Sequence, residues 1–267
     1  MRAIILSAGQ GRRLLPMTAN TPKCLLPVNA GRSVLDIQLE TLARCGIRSV
    51  TVMVGFGAEK VEEWIAERAP RELEVETRYN PFYATADNLV TCWLATPDMS
   101  EDFVLLNGDT IFETGVLRRI LAADGAPVIM AIDRKAEYGE DDMKVTLEWG
   151  TRLRAVGKRI PPGLIDGESI GLIAFRWEGV EAFKTALDRA VRNPAAFGKW
   201  YLDVIDTIAG PMHVRSVSIE GLWLIEIDSP MDLSKARTDL ALLSAKRVHA
   251  VPSMPATING AVPRALP

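Results

Sequence analysis

The chain carries only two histidines, His213 and His249, and neither sits in a recognisable motif. Acid–base chemistry built on imidazole therefore has little support. Three cysteines (Cys24, Cys45, Cys92) are odd in number and lack the close spacing of a zinc site or a disulfide framework. Buried, reduced thiols in a cytoplasmic protein are expected. No apolar run approaches the roughly 18–20 residues that a membrane-spanning helix requires. The apolar stretch at residues 3–6 runs at once into a Gly/Arg loop, which is unlike a secretory signal. Blocks of like charge are missing too: 31 Lys+Arg against 34 Asp+Glu give a net charge of −3. That balance argues against a nucleic-acid-binding surface. Internal repeats and low-complexity blocks are also absent.

What is present is an apolar fraction of 48% over 267 residues, enough for one large domain or one domain with an insertion. Apolar β-branched runs alternate with amphipathic helical patterns. Residues 3–6, 48–54, 73–78, 103–106 and 127–132 read as strands, and 33–45, 58–69, 87–95 and 113–123 as helices. Such alternation predicts parallel strands covered by helices. Beyond residue 132 the character changes. Residues 133–142 form a charged loop, and 143–148 with 152–158 read as a hairpin around Trp149-Gly150. Strands are expected at 170–175, 214–219 and 222–227, and helices at 178–191 and 200–208. A last helix should open at Ser229-Pro230, with Ser as cap and Pro at its first position. The Pro/Ala-rich segment 246–267 reads as an extended tail, which would suit an arm in a homodimer.

The chemistry concentrates in the segment ILSAGQGRRLLPMTANTPKCLLPV, residues 5–28. Small residues after a strand let backbone N–H groups approach an anion, and Arg12, Arg13 and Lys23 add positive charge. Two familiar phosphate loops are excluded. Position 14 is Leu, so the third glycine of a dinucleotide fingerprint is missing, and Gly11 is followed by Arg12 rather than by Lys-Ser/Thr. The pattern Gly9-x-Gly11-x-Arg13, followed by Pro16, Thr18, Pro22 and Lys23, instead resembles the start of nucleotidyltransferases that make sugar nucleotides and CDP-alcohols. Leu106-Asn107-Gly108-Asp109 and Glu226-Ile227-Asp228-Ser229-Pro230 resemble, in the expected chain order, the segments that supply magnesium-binding carboxylates in that superfamily.

The resemblance implies a three-layer α/β/α, Rossmann-like (GT-A-like) fold over residues 1–245. The central sheet would be mostly parallel with an antiparallel hairpin added. Residues 1–132 would bind nucleotide and 133–245 the acceptor. It further implies Mg²⁺ on Asp109 and Asp228, with Arg13 and Lys23 as catalytic cations. Leu6, Ala8, Gly9, Gly11, Asn88 and Gly108 join these two cations around the nucleotide. The segment NPFYATADNLVTCWLA, residues 80–95, resembles that of phosphocholine, inositol-phosphate and aminoalkylphosphonate cytidylyltransferases. Asp87 stands where the first Asn of an Asn-Asn pair is usual. Asn88 would lie near ribose or base, although a helix-start role fits it equally. Lys144 and Lys158 resemble positions near an acceptor phosphate. Trp200, Tyr201 and Asp203, with Glu168, are acceptor-pocket candidates; Trp200, Tyr201, Val204 and Ile208 also fit helical core spacing.

The expected partners are CTP and a small phosphorylated or phosphonate acceptor, with phosphocholine or 2-aminoethylphosphonate preferred. A sugar-1-phosphate nucleotidylyltransferase using UTP, dTTP or GTP is the alternative enzyme. A non-catalytic nucleotide-binding regulator is the alternative of another class.

Overall fold

In the computed structural model, which describes residues 1–249, the alternating first half becomes parallel sheet. The strands are β1 (Arg2–Leu6), β2 (Pro27–Asn29), β3 (Arg32–Ser33), β4 (Ser49–Val54), β5 (Glu74–Tyr79), β6 (Phe103–Asn107) and β7 (Thr110–Phe112). They continue as β8 (Val128–Asp133), β9 (Lys144–Glu148), β10 (Arg152–Gly157), β11 (Gly167–Phe175), β12 (Val214–Ser218) and β13 (Leu224–Glu226). The helices are α1 (Val34–Arg44), α2 (Ala58–Arg68), α3 (Asn88–Leu94), α4 (Thr114–Ala122), α5 (Glu178–Val191), α6 (Tyr201–Ala209) and α7 (Pro230–His249). None of the described helices is long and apolar enough to cross a membrane.

The large sheet has the order β5-β4-β1-β6-β11-β8-β12-β10-β9. Strands β5, β4, β1 and β6 run parallel, as do β8 and β12. Successive residues of β1 point to opposite faces. Ala3 and Ile5 pack beneath α1, α2 and α4, while Ile4 and Leu6 pack beneath α3, α5 and α6. This is the expected three-layer arrangement. The antiparallel part is larger than a hairpin addition, because β11 lies antiparallel between β6 and β8 near the sheet centre. Local patterning cannot reveal strand order, so its direction was not legible.

Helix α1 begins with a capping box. Asp36 N–H donates to Ser33 Oγ at 3.2 Å and Ser33 N–H returns to Asp36 Oδ2 at 2.7 Å. Ser229 and Asp232 repeat the device at the start of α7, at 3.2 and 2.7 Å. The expected strand at 222–227 shrinks to β13. It pairs with β7 in a small separate ladder rather than with the main sheet. Helix α7 runs through residue 245, where the domain was expected to end; residues 250–267 of the expected tail lie outside the described residues. A satellite core (Leu14, Leu26, Ile111, Ile225, Ile227, Leu233) ties the N-terminal loop, the β7–β13 ladder and α7 together.

Asp98 shows how the sheet's first strands are held at one end. Its buried carboxylate accepts Arg78 Nε at 2.5 Å, Arg78 Nη2 at 2.9 Å and Arg2 Nη1 at 3.1 Å. Asp98→Ala leaves two guanidinium groups without a partner, but both are partly solvated, which tempers the loss. A destabilisation of about 1–3 kcal/mol is expected, read as a lower urea midpoint with unchanged slope.

Candidate active site

Parallel pairing places Leu6, the last residue of β1, beside Asn107, the last of β6, so the loops that follow emerge together. Gly11 adopts φ +61, and Thr18 Oγ1 donates to its carbonyl at 2.8 Å, which closes the glycine loop. Gly108 makes the close approach. Its N–H donates to Leu6 O at 2.9 Å, and a Cβ there would lie 2.7 Å from that oxygen and 2.6 Å from Ser7 Oγ. The β7–β13 ladder then brings the second acidic segment across. Ile227 N–H donates to Asp109 O at 3.0 Å, which sets Asp228 next to Asp109.

Lys23 joins these carboxylates, with Nζ 2.8 Å from Asp109 Oδ2 and 2.7 Å from Asp228 Oδ1. Burial by itself would lower the lysine, but Asp109 and Asp228 outweigh it and hold the ammonium above its ordinary value. Arg13 Nη2 lies 2.9 Å from Asp228 Oδ1, and Arg13 Nη1 lies 3.7 Å from Asp141 Oδ2. Arg12 is exposed, with Nε on Gln10 Oε1 at 2.6 Å. A cleft of about 840 Å³ opens over this centre. Leu6, Ala8, Gly9, Gly11 and Gly108 line one end; Lys158, Glu168 and Trp200 line the other.

Glu226 is the carboxylate that sequence reasoning passed over. One oxygen each from Asp109, Glu226 and Asp228 lie within 4.8 Å of one another. The signal was available: in extended chain, residues two apart share a face, so Glu226 follows Asp228 into the cleft. Its carboxylate reaches cleft solvent but is largely surrounded by protein. That loss of bulk water, followed by repulsion from Asp109 and Asp228, pushes it above the usual carboxylate range.

The acceptor candidates divide. Glu168 is buried against the cleft, with Oε1 2.6 Å from Lys135 Nζ. Trp200 also lines the cleft, with Lys158 Nζ 4.1 Å from its ring centre. Tyr201 is fully buried in the core, yet its hydroxyl reaches Asn107 Oδ1 at 3.2 Å along the cleft wall. Asn88 lines the cleft too, and its Oδ1 accepts the Tyr201 N–H at 3.0 Å. Two candidates lie elsewhere. Lys144 is buried, and its ammonium is taken up by the carbonyls of Glu140, Asp142 and Lys158. Asp203 accepts the Trp200 N–H at 3.0 Å as part of the start of α6, and borders a groove between α5 and α6. An acidic residue at the third helical position is an N-terminal signal, which was read instead as a pocket residue.

Burial pushes Glu168 up to about 7; Lys135 opposes that shift and Asp142 adds to it. The fold therefore holds this proton more tightly than the unfolded chain does. Ionising Glu168 works against folding progressively as pH rises from about 4.5, and fully above about 7. Relative to wild type, Glu168→Gln should gain about 2–3 kcal/mol between pH 5 and pH 8, whatever its offset. Denaturation at stepped pH reads this; a flat difference would refute it.

The nucleotidyl transferase family model matches residues 2–136. CMP-5'-(3-aminopropyl)phosphonate synthase of Streptomyces rubellomurinus is 31% identical over 242 residues, covering 88% of this chain and 38% of that protein. The choline-phosphate cytidylyltransferase of Streptococcus pneumoniae is 33% identical over 240 residues, covering 88% of this chain and 96% of that protein. Among solved structures, the inositol-1-phosphate CTP transferase from T. maritima superposes with a TM-score of 0.76 at 21% identity, covering 94% of this chain and 98% of that one. The chain thus spans well under two thirds of the phosphonate synthase and nearly all of the other two. With the glycine loop, Lys23 and the paired carboxylates in place, the chain belongs to the nucleotidyl transferase family.

Proposed function

We propose that the chain transfers CMP from CTP to a small acceptor bearing a phosphate or phosphonate, with release of pyrophosphate. The observation that carries this reading is Lys23 held between Asp109 and Asp228 at the foot of a cleft with a glycine loop at one end. Relatives named as cytidylyltransferases support CTP as the nucleotide. That requirement places the protein where CTP is made, in the cytoplasm.

The acceptor oxygen attacks the α-phosphorus. A P–O bond forms to the acceptor while the bond from the α-phosphorus to the bridging oxygen breaks, and its electron pair leaves with pyrophosphate. A phosphomonoester has a second pKa of about 6, so the nucleophile is already anionic and needs no base. This agrees with the shortage of histidine. The barrier is electrostatic, an anion approaching a polyanion, and cations and N–H groups lower it by compensating charge and aligning the groups. The Gly9 and Gly11 amides hold the triphosphate. Arg13 sits on the departing pyrophosphate, and Lys23 on the α-phosphate and the incoming oxygen. Leu6, Ala8, Asn88 and Gly108 wall the nucleoside.

Asp109 and Asp228, with Glu226 beside them, offer the hard oxygen donors that suit Mg²⁺, and Lys23 already shows that a cation is stable between the first two. When bound there, magnesium would supply charge compensation on the phosphates.

Pyrophosphate release should be measured with each of the four NTPs against 2-aminoethylphosphonate, phosphocholine and glucose 1-phosphate. Turnover with CTP and a phosphonate or phosphocholine is expected. Turnover confined to UTP, dTTP or GTP with the sugar phosphate would replace this reading, and CTP binding without turnover of any acceptor would favour a regulator.

A further inference from the structure

The far half of the cleft is unbalanced in charge. Asp142 and Glu168 both line it. One ammonium serves both: Lys135 Nζ lies 3.1 Å from Asp142 Oδ2 and 2.6 Å from Glu168 Oε1. Asp142 Oδ2 also accepts the Gly139 N–H at 2.8 Å. Lys135 does not line the cleft, so it leaves the cleft side of the pair open. The neighbouring cations are engaged elsewhere. Lys144 points its ammonium at three carbonyls, and Arg134 Nε donates to Asp166 O at 3.2 Å. Lys158 pairs with Asp141 at 2.9 Å, and Arg13 with Asp228 and Asp141. Two carboxylates facing one lysine leave about one unit of negative charge directed at the acceptor.

We infer that Asp142 and Glu168 form the subsite for a primary ammonium group on the acceptor, at the end away from its phosphate or phosphonate. The inference rests on the CMP-transfer reading and narrows it. A primary ammonium is compact and carries three N–H donors, so it can approach both carboxylates within hydrogen-bonding distance. A trimethylammonium group has no donor, and its recognition relies on aromatic faces. Trp200 lines this half of the cleft, but Lys158 already lies over its ring at 4.1 Å. A sugar hydroxyl would hydrogen-bond here but would bring no charge to balance the pair. Glu168 and Asp142 are therefore specificity residues: they act on the acceptor's far end and leave the reacting atoms to Arg13, Lys23 and the carboxylates at the foot of the cleft.

The test uses the full chain with CTP and three acceptors of one backbone: 2-aminoethylphosphonate, its N,N,N-trimethyl derivative and ethylphosphonate. Wild type should favour the primary amine over both others by about tenfold or more in kcat/KM, mostly through KM, as expected for a charged hydrogen-bonded group. In Glu168→Gln, and in Asp142→Asn as a second variant, the ratio of amine to ethylphosphonate should collapse toward one. That ratio does not depend on how much of a variant is folded, and stabilisation by CTP checks the fold separately. Equal or better use of the trimethyl compound by wild type overturns the inference and leaves CMP transfer standing. So does a ratio unchanged in both variants. No turnover of any phosphonate or phosphate acceptor with CTP overturns the CMP-transfer reading and the inference with it.

Discussion

Asp109→Asn should lower kcat by about a thousandfold or more, while CTP still raises the melting temperature of the variant. The side chain keeps its shape and can still accept a hydrogen bond from Lys23, now 2.8 Å from Asp109 Oδ2. What it loses is a full negative charge at the foot of the cleft, where Asp109, Glu226 and Asp228 converge. Charge compensation there acts on the transition state, in which the transferring phosphorus is most crowded by negative oxygens. Removing one preorganised electrostatic contributor typically costs 10²–10³, and a weakened divalent site adds to that. Ground-state binding of CTP draws on the glycine loop and Arg13 as well, so it falls less. Single-turnover kinetics with saturating CTP, set beside thermal shifts with and without CTP, read the two effects apart. Chelation of divalent ions from wild type should match the variant's loss. A kcat within tenfold of wild type would remove Asp109 from the reaction.

How much of this site was legible in the sequence depended on whether a residue's neighbours in chain are also its neighbours in space. Gly9, Gly11, Arg13 and Lys23 fall within one loop, and the loop could be read as a unit. Asp109 was legible because Gly108 precedes it at a strand end, and Asp228 because Ser229-Pro230 follows it at a helix start. Their meeting was not legible. It depends on β7 and β13, three residues each, too short to give a periodic pattern, and on a satellite core assembled from four segments. Lys144 was misplaced because a strand sends alternate side chains to opposite faces. Its face is the buried one, where carbonyls take up the ammonium, and Lys158, across the hairpin, is the lysine that reaches the cleft. Trp200, Tyr201 and Asp203 show the same limit on a helix start. One faces the cleft, one packs in the core with its hydroxyl at the wall, and one closes the helix end.

Gly108→Ala and Gly9→Ala should fail in opposite ways, although both glycines border the same phosphate site. At Gly108 an added Cβ would stand 2.6 Å from Ser7 Oγ and 2.7 Å from Leu6 O. The serine could turn away, but Leu6 O is backbone in a paired strand and cannot. The β1 and β6 ends must therefore separate, at about 1–3 kcal/mol for overpacking, or roughly 3–10 °C in a chain of this size. Asp109, the next residue, moves with them, and a displacement near 1 Å at a reacting centre costs about a hundredfold in rate. Adding Ser7→Gly should not restore either property, because the Leu6 O contact survives. At Gly9 nothing lies within 4 Å of an added Cβ, and its φ lies outside the left-handed region. The methyl group would project into space that the chain leaves open beside the Gly11 amide. Melting without nucleotide should stay within about 1 °C of wild type, as for a neutral surface change. Affinity for CTP should fall by about tenfold or more, since the methyl group keeps phosphate oxygens from the loop amides. Thermal melts with and without CTP on the two variants decide the matter. If Gly9→Ala binds CTP as wild type does, the triphosphate does not lie against this loop.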